Sequence, residues 1–142
     1  MKNIKKLMGD KKGFTIIELI VVVAIIAVLA AIVLVNVTSY INRGKDAAIK
    51  GNLSSLMTDA VVIFEAKGSY NSLGNTVCGG SKWSAVNSAI NAAGGTGTCL
   101  DSSTAWCASS PMKVNSSNSF CVDSTGRKTE GSGATCASYV CP

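Results

Sequence analysis

The sequence predicts an α+β protein: a long N-terminal α-helix, with a transmembrane half and an amphipathic half, packed on a small disulfide-rich head that holds a short antiparallel β-sheet. Three observations predict it. Residues 19–35 are apolar without interruption, apolar residues continue at helical spacing to Phe64, and all six cysteines lie beyond residue 67. The 142 residues amount to about one domain.

The first element is a hydrophilic leader, residues 1–13. It carries Lys2, Lys5, Lys6, Lys11 and Lys12 against one acid, Asp10. The rest of the chain is nearly neutral, so the formal charge of +5 is concentrated at one end. That balance gives no basic groove for nucleic acid.

The second element, residues 14–35, opens with Phe14-Thr15-Ile16-Ile17-Glu18 and becomes wholly apolar from Leu19 to Val35. A bilayer core of about 30 Å needs roughly 20 residues of helix, so this segment is long enough to span one. Lysines only on its N-terminal flank place the leader in the cytoplasm and the remainder outside. An ordinary secretory signal has a shorter apolar run followed by a small-residue cleavage site. Here the small residue, Gly13, precedes the run. Any segment removed is therefore expected to be the leader, with the membrane helix kept.

The third element, residues 36–66, continues the helix. Ile49, Leu53, Leu56, Ala60 and Phe64 recur at steps of three and four. Plain packing against the head explains that stripe. No proline interrupts Phe14 to Ala66; Gly44 and Gly51 are the expected bends, and Lys67-Gly68 the stop.

The head, residues 67–142, is about one-third Gly plus Ser. One short helix is legible, with Ser81 as a cap, Trp83, Val86, Ile90 and Ala93 on one face, and Gly94-Gly95 as the end. Strands are expected at 105–108, 119–123 and 127–130, with a turn at Asp123-Ser124-Thr125-Gly126. Trp83, Val86, Ile90, Leu100, Trp106, Phe120 and Val122 make a thin core. A core that small needs disulfides, the long helix, or both.

The run Lys11-Lys12-Gly13-Phe14-Thr15-Ile16-Ile17-Glu18-Leu19, followed by the apolar span, resembles the class III signal of type IV pilins and type II secretion pseudopilins. The likeness covers roughly residues 8 to 45 and does not extend residue by residue into the head. It implies a structural subunit of a type IV pilus or a secretion-type filament, with no enzymatic activity and no cofactor. A prepilin peptidase would cut between Gly13 and Phe14, and Phe14 would be N-methylated. Glu18 would serve filament assembly by pairing with the Phe14 amine of a neighbouring subunit. The implied partners are other pilin subunits, the peptidase/methyltransferase, the membrane platform of the assembly machine, and the cytoplasmic membrane before assembly. The subunit would be single-pass in that membrane and then part of an extracellular or periplasmic filament. Many pilins have a proline where this chain has Val35, so the helix is expected to stay continuous there.

Physics supports a role for Glu18 apart from the resemblance, because a carboxylate in hydrocarbon usually has a partner. The competing account has it hydrated near the interface. The absence of histidine removes Ser-His-Asp and His-Cys catalysis and His-ligated zinc. A permanently membrane-anchored disulfide-rich binding domain that never assembles is the alternative function.

The cysteine spacing contains no CxxC, which argues against a zinc ribbon or thioredoxin-type site and for an oxidising compartment. Sequential pairing is expected: Cys78–Cys99 around the short helix, Cys107–Cys121 across a hairpin, and Cys136–Cys141 at the tail. Asp101, Asp123 and Glu130 are the acids of the last forty-odd residues; the resemblance to pseudopilins raises a calcium ion in a head loop, to which Asp123-Ser124-Thr125-Gly126 would offer oxygens, but turn chemistry explains the same residues without a metal.

Overall fold

The computed structural model describes residues 13–72 and 75–142. The leader lysines and Asp10 lie outside the described residues. The described chain falls into two units, one ending at Thr38 and the other running from Ser39 to Pro142.

Helix α1 spans Ile16–Lys67 without a break at Gly44 or Gly51. In the first unit its apolar side chains cover nothing of their own chain: Ile20, Ile25, Leu29 and Val33 are all more than half exposed. Its most apolar window has a mean hydropathy of 3.3, enough by length and composition to cross a membrane.

The second unit begins with the remainder of α1. There Ile49, Leu53, Leu56, Ala60 and Ile63 are buried, at alternating steps of four and three. The stripe ends on Ile63 rather than Phe64, whose ring instead rests against Tyr70 at 4.6 Å. Gly68 closes the helix with φ +68° and donates its N–H to the Phe64 carbonyl at 2.6 Å. Glycine takes that left-handed turn without a Cβ penalty.

A small hairpin follows, β1 (Asn71–Ser72) against β2 (Asn75–Thr76). Helix α2 then spans Ser81–Ala92. Its N-cap is Gly80 rather than Ser81. The chain passes so close to Thr76 that a Cβ on Gly80 would lie 2.6 Å from the Thr76 carbonyl oxygen. The C-terminus is the expected one: Gly94, at φ +83°, donates to Asn91 and Gly95 donates to Ile90, a Schellman pair. Gly95 must also be bare, since a Cβ there would meet Ser110, Ile90 and Ile49 at 2.8–3.1 Å.

Four strands form an antiparallel meander: β3 (Thr98–Asp101), β4 (Trp106–Pro111), β5 (Asn118–Asp123) and β6 (Lys128–Ser132). The three expected strands are present with shifted ends, and β3 is additional. Register assigns the faces. Trp106, Ala108, Phe120 and Val122 join the α1 and α2 side chains in one core. The residues between them, Cys107, Ser109, Cys121 and Asp123, point the other way. That second face is covered by the C-terminal segment, where Cys121, Ala134 and Cys141 are buried together. With both faces covered, every residue from Trp106 to Ser110 is buried. The edge strands β3 and β6 alternate instead. Leu100 faces away from the helices on β3 and stays 39% exposed, so it is not core; Trp83 is half-buried.

All six cysteines are paired. Cys78–Cys99 forms as the sequential scheme has it, but the other two bonds are Cys107–Cys136 and Cys121–Cys141. The correction follows from register: Cys107 stands opposite Asp123 and Cys121 opposite Ser109, so the two cysteines share a face without being direct partners. Each reaches outward to the tail that lies on that face.

Candidate functional site

The charge embedded in the apolar half of α1 is built by its first turn. Residues 13–15 are not helical, and the first helical hydrogen bond runs from the Leu19 N–H to the Thr15 carbonyl at 3.3 Å. Thr15 is therefore the N-cap and Glu18 the third helical residue. The Glu18 N–H donates to Thr15 Oγ1 at 3.3 Å, and Glu18 Oε2 accepts from the Thr15 N–H at 2.9 Å and the Thr15 hydroxyl at 2.7 Å. This reciprocal arrangement is a capping box, which satisfies donors that a helix start leaves open. A carboxylate at that end is also favoured by the helix dipole.

Only one Glu18 oxygen takes part. Among the described residues no donor reaches Oε1, so the carboxylate can hold its own helix together and still accept from a cation. Phe14 beside it is 83% exposed, and Gly13 is extended chain with open space around it. The structure thus places Gly13 and Phe14 just ahead of the first turn and Glu18 within it. It adds Thr15, which the sequence reading left without a role. The signal was present, because Thr-x-x-Glu ahead of an apolar run is the sequence form of a capping box.

Asp46, Asp101, Asp123 and Glu130 serve the architecture of the second unit. Asp46, on α1, is buried and accepts from the backbone N–H groups of Lys113 and Val114, the latter at 3.0 Å, fastening the β4–β5 loop. Asp101 accepts from the Cys78 N–H at 2.7 Å. Glu130 pairs with Lys50 at 2.7 Å, joining β6 to α1.

Asp123 is 1% exposed and has the fullest set of donors. Its Oδ1 accepts from the Thr125 hydroxyl at 2.6 Å and from the Thr125 and Arg127 N–H groups at 2.9 and 3.3 Å; its Oδ2 accepts from the Cys141 N–H at 3.0 Å. Burial pushes its pKa up, but the Thr125 hydroxyl and the Cys141, Thr125 and Arg127 amides together outweigh that and hold it below the ordinary value. Both oxygens are thus committed to the turn and the tail. Among the described residues no three His, Cys, Asp or Glu side chains gather as a metal site.

Comparison with known proteins follows this geometry. The family described as "Prokaryotic N-terminal methylation motif" matches residues 8–34, which include the capping box. The chain is 41% identical over 66 residues to the type IV major pilin protein PilA of Myxococcus xanthus, covering 46% of this chain and 30% of that one. It is 35% identical over 98 residues to fimbrial protein Q of Moraxella bovis, covering 62% of each. It is 43% identical over 47 residues to the type IV wide pilus major component PilA4 of Thermus thermophilus, covering 33% of this chain and 36% of that one. The chain thus spans between 30% and 62% of the length of these relatives. No solved structure matches it. In its N-terminal methylation motif and the helix that continues it, the chain is similar to the type IV pilins.

Proposed function

We propose that the chain is a structural subunit of a type IV pilus, made as a precursor and assembled through its N-terminal helix. The observation that carries this reading is an apolar helix with nothing of its own chain to bury it, which opens on a single carboxylate inside the matched methylation motif. Residues 1–13 are the leader, 14–35 the membrane and filament-core helix, 36–66 its amphipathic continuation, and 67–142 the extracytoplasmic head. A prepilin peptidase cuts between Gly13 and Phe14, and the new Phe14 amine is methylated.

Assembly exchanges one apolar environment for another. Lipid surrounds residues 14–35 before assembly, and neighbouring helices surround them afterwards. Glu18 cannot make that move cheaply alone, since an unpaired carboxylate in an apolar medium is costly. Its unoccupied Oε1 accepts the Phe14 ammonium of a neighbouring subunit while Oε2 keeps its bond to Thr15. The chain catalyses nothing in this scheme. The membrane platform of the assembly machine extracts it, and the heads form the outer surface.

Intact mass and N-terminal sequencing of the chain from the membranes of its producer test the reading. The expected result is a mature chain that begins at Phe14 and carries one extra methyl group. A chain that begins at Met1 makes it a permanently anchored extracellular domain, and a start beyond Val35 makes it a freely secreted one.

A further inference from the structure

The first charged side chains beyond the apolar run of α1 are both cations. No Asp or Glu stands between Glu18 and Asp46, whereas Arg43 and Lys45 follow Val35 by eight and ten residues. Both belong to the second unit, where Arg43 is exposed and Lys45 half-buried. Neither has a carboxylate partner among the described residues. The two acids that share a recess with Arg43 are already engaged: Asp46 by the Lys113 and Val114 N–H groups, Glu130 by Lys50 at 2.7 Å. Arg43, Lys45, Lys50 and Lys113 outnumber those acids, so the neighbourhood stays positive. Apolar surface accompanies the charge, with Tyr40 72% and Val114 55% exposed.

With the leader inside, Arg43 and Lys45 lie outside, against the usual bias of Lys and Arg to the cytoplasmic flank. The leader lysines still set the orientation, so the outer pair calls for another reason. At about 1.5 Å per residue, Tyr40 follows Val35 by about 8 Å of helix, Arg43 by about 12 Å and Lys45 by about 15 Å. The headgroup layer is about 5–8 Å thick on each side of the hydrocarbon. Tyr40 therefore falls at the headgroup level, where tyrosine is enriched. Arg43 and Lys45 start just beyond it, and their long stems reach back to the phosphates at its outer edge. A plane of phosphates surrounds a helix that crosses it, so the two cations need not share a helical face. Lys67, about 48 Å of helix beyond Val35, is out of reach.

On the membrane-anchored reading above, on which this rests, we propose that Tyr40, Arg43 and Lys45, with Val114 on the β4–β5 loop, form a docking surface for anionic phospholipids before assembly. The occupant is the outer face of the bilayer that holds the helix, and the cations take its headgroup phosphates. The loop belongs to the surface because Asp46, one residue beyond Lys45, fastens it to α1. Each cation near an anionic surface strengthens attraction by about fivefold, and salt weakens it. The contact exists only in the membrane pool and is given up when the subunit leaves lipid.

Acetylation of lysine amines in the full-length chain, held in lipid nanodiscs, tests the surface residue by residue. Nanodiscs of phosphatidylcholine are compared with nanodiscs in which a third of the lipid is phosphatidylglycerol. Mass spectrometry reads Lys45 against Lys67, on the same helix but far from the surface. Phosphatidylglycerol is expected to slow Lys45 acetylation about threefold or more, high salt to abolish that protection, and Lys67 to react alike in both lipids. Arg43→Gln, at an exposed position, is expected to lower the protection of Lys45 without changing Tm. Equal Lys45 rates in the two lipids, a Lys67 slowed as much as Lys45, or Arg43→Gln with protection intact overturns the proposal. Inorganic phosphate that protects Lys45 equally in phosphatidylcholine nanodiscs also overturns it, by making the site one for a free anion. A chain that does not enter nanodiscs removes the membrane-anchored reading and the docking surface with it.

Discussion

Replacing Asp123 separates the two jobs its carboxylate performs. In Asp123→Ala the Thr125 and Arg127 donors lie in a turn where water can reach them, whereas the Cys141 N–H is buried and left unpaired. A hydrogen bond to a charged group contributes about 1.5–3 kcal/mol, and an unsatisfied buried donor costs about as much. Counting Cys141 in full and discounting the others gives a loss of about 3 kcal/mol. For a head of this size each kcal/mol shifts Tm by about 4–8 °C, so a fall of about 12 °C or more is expected at pH 7. Asp123→Asn keeps an acceptor for the turn but sets an amide donor against the Cys141 N–H, and is expected to lose about 2 kcal/mol.

Tryptophan fluorescence during thermal unfolding of the detergent-solubilised chain, with disulfides intact, reads both variants, because Trp106 is buried in the adjoining core. The pH dependence has a definite sign. The folded pKa of Asp123 lies below its unfolded value. Its contribution is therefore complete above about pH 3.9 and is lost as pH falls through the lower, folded value. The gap in Tm between the unaltered chain and Asp123→Asn is expected to hold from neutral pH to about pH 4 and to shrink below it. An Asn variant that melts within about 2 °C of the unaltered chain at pH 7 would refute the account of Asp123 as the anchor of turn and tail.

Other perturbations address the remaining elements. Thr15→Ala removes the cap and is expected to weaken the first turn of α1 by about 1 kcal/mol; faster exchange of the Glu18 amide, which donates to the Thr15 hydroxyl oxygen, would show it, and Thr15→Ser should restore protection. Glu18→Ala is expected to leave membrane insertion intact and to abolish incorporation into filaments, and normal filaments from that variant would refute the assignment. Gly51 has open space where a Cβ would stand, so Gly51→Ala is expected to raise the stability of the head by up to about 1 kcal/mol. Gly95→Ala forces Ile49, Ile90 and Ser110 apart and is expected to lower stability by about 1–3 kcal/mol, both changes being read as Tm. Mass mapping under non-reducing conditions should recover peptides joined as Cys78–Cys99, Cys107–Cys136 and Cys121–Cys141; a Cys107–Cys121 peptide would contradict the tail arrangement.

The helices were legible because their signals are local. Ile49, Leu53, Leu56 and Ala60 announce a face by spacing alone, and Gly68 and Gly94 mark ends by the backbone turn they allow. The sheet was harder to read. Strands β4 and β5 are covered on both faces, so Trp-Cys-Ala-Ser-Ser-Pro and Asn-Ser-Phe-Cys-Val-Asp show no clean alternation of polar and apolar residues. Ser109 is buried because its Oγ accepts from the Cys136 N–H, a partner 27 residues away that nothing near Ser109 foretells. Two of the three disulfide pairings were missed for the same reason. Neighbouring large residues place Cys107 and Cys121 in strands, but only register shows that Asp123 and Ser109 stand opposite them. At the N-terminus Glu18 was legible from its setting. Its local partner, Thr15, required reading Glu18 as a helix-capping residue as well as a charge in an apolar run.

The position of that first turn has a consequence for proteolysis. Peptide bonds inside an α-helix have their amides engaged and their backbone coiled, whereas a protease grips its substrate as extended chain. In this protein the boundary between the two conditions falls at Thr15, one residue beyond the Gly13–Phe14 bond. On the proposed reading, a protease acting at that bond meets it uncoiled and finds Ile16–Lys67 coiled. The side chain that begins the helix thereby sets how far along the chain cutting can reach.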